Sequence, residues 1–167
     1  MVRVLSGDEV RDPRLVELLV ETVNAGASVN YLAPMAPEDA VTVWDGWAAD
    51  VEAGTRVVLA DDHLTGCVHL ALAGQPNGAH RAEVQKMLVH PAARRQGLGR
   101  TLLAAAEEHA LGLGVSLLVL DTEKGGAGEA LYERCGWQRV GEIPDFARSS
   151  DGTELVAAVL FYKQVTT

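Results

Sequence analysis

Apolar side chains recur at every third or fourth residue in some stretches and at every second residue in others, so helical and extended segments alternate along the chain. Residues 2–5 read as a short strand. From Pro13 the positions Leu15, Leu18, Leu19, Thr22 and Val23 keep helical spacing until Gly26. Residues 28–35, with Asn30, Tyr31 and Pro34, are loop-like. A second helix opens at Pro37-Glu38-Asp39, turns Val41, Trp44, Ala48 and Val51 inward, and closes at Gly54. Strands over 55–60 and 64–72 are joined by the polar turn Asp61-Asp62-His63. After the turn signal of residues 75–78, residues 81–89 form a strand whose regular alternation puts Glu83, Gln85, Met87 and Val89 on one face.

From Gly97 a long amphipathic helix carries Leu98, Leu102, Leu103, Ala105, Ala106 and Ala110 and stops at Gly112 and Gly114. Residues 115–120 are apolar except for Ser116, as in a strand covered on both faces. A helix-like stretch over 129–135 leads to strands over 137–142 and 155–162. Strand, two helices, three strands, helix, strand, helix and two strands predict an α/β chain with one mixed sheet flanked by helices and no internal repeat.

The chain's 167 residues, 48% hydrophobic and 22% charged, suit a single domain over 1–167. No apolar run approaches the roughly 18 residues that span a bilayer, and the start lacks a signal-peptide apolar core, so a cytoplasmic protein without a membrane partner is expected. Cys67 and Cys135 have no metal-ligand spacing, nor do His63, His69, His80, His90 and His109, so no metal site is expected. A net charge of -9 disfavours nucleic acid and mildly favours cationic ligands.

The most informative segment is Arg94-Arg95-Gln96-Gly97-Leu98-Gly99-Arg100, between an apolar strand and a long helix. The first N–H groups of a helix have no intrahelical partner and sit at the positive end of its dipole, so they can bind phosphate. Glycine at 97 and 99 removes side chains from the approach, and Arg94, Arg95 and Arg100 can add charge-assisted contacts. Leu102 stands where a G-x-G-x-x-G fingerprint needs its third glycine, and no lysine followed by Ser or Thr marks a P-loop. NAD and ATP therefore lose ground. The competing reading is an ordinary strand-to-helix turn with a basic surface cluster.

In this context Arg94, Gly97 and Gly99 resemble the Arg-x-x-Gly-x-Gly motif of the GNAT acetyltransferases. Val89-His90-Pro91 resembles that family's Val-x-Pro strand end, and residues 130–137, Ala-Leu-Tyr-Glu-Arg-Cys-Gly-Trp, resemble its later Leu-Tyr element, shortened and with Trp for Phe. The resemblance implies a mixed, largely antiparallel seven-stranded sheet with about four helices, splayed where acetyl-CoA binds. It implies that Arg94, Arg95, Gln96, Gly97, Leu98, Gly99 and Arg100 hold the pyrophosphate of coenzyme A. The strand backbone at Met87, Leu88 and Val89 would pair with the pantetheine arm, with one N–H available to a carbonyl oxyanion. A homodimer is an association the family allows.

Acyl transfer from a thioester to an amine needs the amine unprotonated, and an aliphatic amine has a pKa of about 10.4, so deprotonation near pH 7 costs roughly 4 to 5 kcal/mol. A carboxylate or an ordered water beside the amine offsets part of that. Glu83, on the strand leading to the glycine loop, is the first candidate for ammonium anchor and base. Asp121, at the carboxyl end of an apolar strand, is the second. A solvated or salt-bridged carboxylate is the plainer reading of either alone. Tyr132, a weak acid, can protonate the departing thiolate, the role the resemblance also implies. Cys135 has no basic partner nearby in sequence and reads as a packing residue, so direct transfer is expected.

Across most of the chain the sequence also resembles the tabtoxin-resistance acetyltransferases, which acetylate the amine of an amino-acid-like β-lactam. The resemblance rests on residues 21–29, 76–78, 81–86 and 120–123. It implies acceptor handling by Glu83 and Asp121, with Asn30 and Tyr31 facing the substrate. The chain departs from that group at residues 124–128 and 145–151. A small-molecule amine acetyltransferase, a protein or peptide acetyltransferase and a noncatalytic acyl-CoA sensor are the three readings left open.

Overall fold

In the computed structural model, which describes residues 1–166, Asp12 caps the first helix by accepting from the backbone N–H of Arg14 at 2.9 Å, and Pro13 follows at the first helical position. This helix, α1 (Pro13–Asn24), buries Leu15, Leu18, Leu19, Thr22 and Val23, as the spacing predicts. The second, α2 (Pro37–Glu52), buries Ala40, Trp44, Trp47 and Ala48, whereas Val41, expected inward, is exposed. The two indoles meet edge-on at 4.7 Å and both pack on His69, so they define the buried stripe. Val41 lies about 100° around the helix from Ala40 and falls outside that stripe.

Seven strands make one sheet: β1 (Val2–Val4), β2 (Arg56–Asp61), β3 (Gly66–Leu72), β4 (Arg81–Val89), β5 (Leu117–Glu123), β6 (Gln138–Arg148) and β7 (Leu155–Gln164). Their order is β1-β2-β3-β4-β5-β7-β6, antiparallel throughout except for the β4–β5 pair. Helix α3 (Leu98–Gly112) is the crossover between those parallel strands, and α4 (Ala127–Arg134) connects β5 to β6. One core cluster gathers α3, Tyr132 and Trp137 against Val68, Leu70, Val84, Leu118 and Phe161. A second, on the opposite face, packs α1 and α2 on Val58, Ala60, Cys67 and Leu88.

Three expectations need correction. Strand β5 is deeply buried on one face, through Leu118 and Leu120, while Leu117 and Val119 on the other are only half-buried. Strand β6 runs past residue 142 to Arg148, its register shifting between Ile143 and Ala147 around Asp145, whose φ is 52°. Pairing with β7 stops at Ile143 and resumes at Ala147, so Pro144 falls in the unpaired stretch, which an edge strand tolerates.

The third correction concerns β4. Cys67 pairs with Leu88 and His69 with Gln85, so β4 has one more residue than β3 between these pairs. Lys86, at φ 49°, marks this β-bulge. Such a slip reverses facing beyond it. Glu83 and Gln85 share the face of His69 and Cys67; Leu88 joins them in the α1–α2 cluster, and Met87 and Val89 pack toward α3.

Candidate active site

Strands β4 and β5 pair only at Arg81–Leu117, Ala82–Leu118 and Glu83–Val119, although β4 continues to Val89 and β5 to Glu123. Beyond Glu83 they diverge and open a cavity of about 840 Å³. The cavity runs from the loop before α3, past the split, to Asn30, Phe146 and Ala157. It is lined by Glu83, Asp121, Tyr132 and Lys86 together with Met87, Val89, Arg94, Arg95, Gly97, Leu98, Gly99 and Arg100. Side chains far apart in the sequence thus face one space.

At the α3 end, His90 Nδ1 accepts from the backbone N–H of Ala92 at 3.2 Å and shapes a turn over Pro91–Ala93. The Arg94 Nε then donates to the Val89 carbonyl at 3.2 Å, tying the loop to the end of β4. Gly97 has φ 87°, the left-handed conformation glycine adopts without cost, and a Cβ there would meet nothing within 4 Å. Its requirement is therefore conformational. A Cβ on Gly99 would lie in ordinary contact, 3.4 Å from Leu131 of α4 and 4.0 Å from Val89, so a larger side chain there would crowd the cradle. The first intrahelical bond runs from Thr101 N–H to Gly97 O at 3.1 Å, leaving the N–H groups of Leu98, Gly99 and Arg100 without helical acceptors. This cradle fits a phosphate group. Leu88 and Gln96 do not line the cavity: the bulge buries Leu88 on the opposite face, and Gln96 donates to the Ala92 carbonyl at 3.0 Å.

Tyr132 is fixed from three directions. Its ring packs on Trp137 at 5.7 Å and Phe161 at 6.0 Å, and its carbonyl accepts from Trp137 N–H at 3.1 Å across the left-handed Gly136. The Trp137 indole donates to Glu107 at 2.9 Å, and Lys163 braces that carboxylate at 2.7 Å. Burial, with the Asp121 charge adding to it, pushes the Tyr132 phenol above its ordinary pKa, so it stays protonated at neutral pH. Burial also raises the Asp121 carboxyl, and the Lys86 ammonium opposes that rise.

Lys86 is a charged cavity residue that the alternation pattern did not nominate. Its Nζ donates to the Val29 carbonyl at 3.0 Å and lies 5.2 Å from the Tyr31 ring centre. Burial and the nearby Arg56 charge lower its pKa to about 8, against the opposing pull of Asp121 and Glu83. A signal was present: Lys86 occupies the alternation phase of the buried Ala82 and Val84, where a charge conflicts with a regular strand. Asn30 lines the cavity. Tyr31 does not, because its ring packs edge-on against Trp47 at 6.2 Å on the α2 side.

Among the described residues no group of three His, Cys, Asp or Glu side chains could hold a metal ion, and no helix is long and apolar enough to cross a membrane.

A family model described as the Acetyltransferase (GNAT) family matches residues 17–137. The chain is also similar in structure to a ribosomal-protein-alanine N-acetyltransferase from Brucella melitensis, at 21% identity, 98% coverage of this chain, 99% of that one and a TM-score of 0.77. The yncA acetyltransferase of Salmonella typhimurium, solved with its cofactor acetyl-CoA, superposes at 0.78, with 17% identity and 99% and 94% coverage. A protein described as a phosphinothricin N-acetyltransferase superposes at 0.79, with 18% identity and 100% and 99% coverage. At these identities the likeness establishes the shared fold.

Proposed function

Because the chain belongs to the GNAT acetyltransferase family, its model spanning residues 17–137, we propose that it transfers the acetyl group of acetyl-CoA directly to a primary amine of a small molecule. One observation carries this reading: the split between β4 and β5 places a helix-terminal phosphate cradle, two carboxylates and a buried phenol around a single cavity. Acetyl-CoA supplies an activated thioester. The free N–H groups at the start of α3, with Arg94, Arg95 and Arg100, receive its pyrophosphate. Backbone groups of β4 from Met87 to Val89, released from β5 pairing, are available to its arm.

Glu83 and Asp121 anchor the acceptor ammonium and take its proton, directly or through water. A carboxyl raised by burial, as at Asp121, accepts a proton more readily than a fully solvated one. Tyr132 stays protonated at neutral pH and gives its proton to the departing sulfur. Asn30 and Lys86 border the acceptor end. The likeness to the tabtoxin-resistance enzymes, carried by residues 21–29, 81–86 and 120–123, favours an amino-acid-like amine, with a toxin or antibiotic as one form of it.

A thiol-release assay with acetyl-CoA across amino acids, polyamines, aminoglycosides, β-lactam amino acids and peptides tests this reading. Turnover confined to small amines supports it, turnover confined to peptides points to a protein acceptor, and acetyl-CoA binding without turnover points to a sensor.

A further inference from the structure

The chain has three lysines, Lys86, Lys124 and Lys163. Lys124 is ion-paired with Glu142 at 2.8 Å, and Lys163 with Glu107 at 2.7 Å. Lys86 is held instead by a carbonyl oxygen, Val29 O, and by the face of Tyr31. It stands on the β4 bulge and lines the same cavity as Glu83, Asp121 and Tyr132. Its chain of four methylenes gives Nζ a wide sweep once the Val29 bond opens.

We propose that Lys86 is itself an acetylation site, modified by acetyl-CoA bound in the same cavity when no acceptor amine is present. The inference rests on the reading of the cavity as an acetyl-CoA site. In the step, the neutral Nζ forms a bond to the acetyl carbonyl carbon, and the carbon–sulfur bond breaks. The departing sulfur takes the Tyr132 proton, and the proton lost from Nζ goes to Asp121 or Glu83, from which the phenol is restored. The products are Nε-acetyl-Lys86 and coenzyme A, with no oxidant or further reactant.

The charged groups around Nζ make the neutral amine accessible. Arg56 of β2 repels the ammonium, Glu83 of β4 and Asp121 of β5 attract it, and desolvation outweighs the attraction. With a pKa of about 8 in place of 10.5, the unprotonated fraction at pH 7 is roughly a few hundredfold above that of an ordinary lysine. Lys124 and Lys163, whose ammonium forms are held by carboxylates, serve as comparators within the same molecule.

The test incubates the full-length chain with acetyl-CoA and no added amine at pH 7, 8 and 9, and maps acetylated peptides by mass spectrometry; calorimetry measures acetyl-CoA binding in parallel. Lys86 is expected to acquire acetyl at least about tenfold faster than Lys124 or Lys163. Its rate should climb about fivefold from pH 7 to 8 and only about twofold more by pH 9. Tyr132→Phe should slow labelling roughly tenfold or more with binding retained, Lys86→Arg should abolish it, and the guanidinium-unfolded chain should label its lysines evenly. Bound acetyl-CoA with Lys86 labelled no faster than Lys124 overturns the inference while leaving the proposed function standing. Absence of acetyl-CoA binding overturns both.

Discussion

Arg56 donates from Nη1 to Gln85 Oε1 at 3.1 Å and so holds a side chain that lines the cavity. The same guanidinium reaches Asp50 at 3.1 Å and His69 Nδ1 at 3.3 Å, with only 12% of the Arg56 side chain exposed. Arg56→Met removes a buried charge-assisted donor and leaves its acceptors unpaired. A loss of about 2–3 kcal/mol is expected, read as a lower guanidinium midpoint, with Arg56→Lys recovering part of it.

His69 is fully buried among Trp44, Trp47 and Cys67, and burial with the nearby Arg56 and Lys86 charges holds its pKa well below the ordinary value. The folded state therefore refuses a proton that the unfolded chain accepts below its ordinary pKa near 6.5. Stability is fully present above that value and declines as pH falls below it, by up to about 1.4 kcal/mol per unit. Guanidinium titrations at pH 7, 6 and 5 should show a shallower decline for His69→Gln than for the natural chain.

The glycines of the cradle separate conformation from space. Gly97→Ala forces an L residue into φ 87° and should cost about 1–2 kcal/mol of stability even though its Cβ has room. Gly99→Val instead fills the gap between Leu131 and Val89 and should weaken acetyl-CoA by about tenfold or more, the equivalent of one lost contact of about 1.4 kcal/mol. Unchanged acetyl-CoA affinity in Gly99→Val, measured by calorimetry, would refute the cradle.

Gly128 sits where a Cβ would come within 2.6 Å of Thr122 Oγ1 and 3.3 Å of the Tyr132 ring. Gly128→Ala must push on Tyr132 or on β5, and a displacement near 1 Å costs on the order of a hundredfold in rate. Turnover should fall by that order while acetyl-CoA affinity stays within a few fold; full activity would show that Tyr132 has no positional role.

Asp121 accepts protons only when ionised, and burial moves its carboxyl upward from the ordinary range. Amine turnover should therefore rise as pH climbs through this raised value. Asp121→Asn should lose that rise together with about a hundredfold of rate, with acetyl-CoA binding retained; Glu83→Gln tests the second carboxylate in the same assay. An identical pH–rate profile in both variants would remove them as base candidates.

Much of the scaffold follows from local pattern. Proline-led helix starts, the buried stripe of α1 and the strand-to-helix glycine loop each rest on spacing within about twenty residues, where period and capping chemistry decide the outcome. Glu83 could be nominated from its place on the strand leading to the glycine loop, Asp121 from the end of an apolar run, and Tyr132 from the Leu-Tyr element. Lys86 left only an indirect trace, a charge at a position that regular alternation assigns to the core, and the pairing with β3 is what reveals the extra residue. Tyr31 lies outside the cavity for a related reason: nothing in its own loop announces that Trp47, sixteen positions on, takes its ring.

By itself the sequence determined the element order, the four helices, the mixed sheet and the strand-to-helix glycine loop, because each depends on hydrophobic period or on backbone conformations peculiar to glycine and proline. Only the tertiary structure decided where β4 leaves β5, that Leu88 turns away from the cavity, and that Lys86 stands among Glu83, Asp121 and Tyr132. Those outcomes depend on register and on packing between strands distant in sequence, and a single bulge reverses the facing of every side chain beyond it.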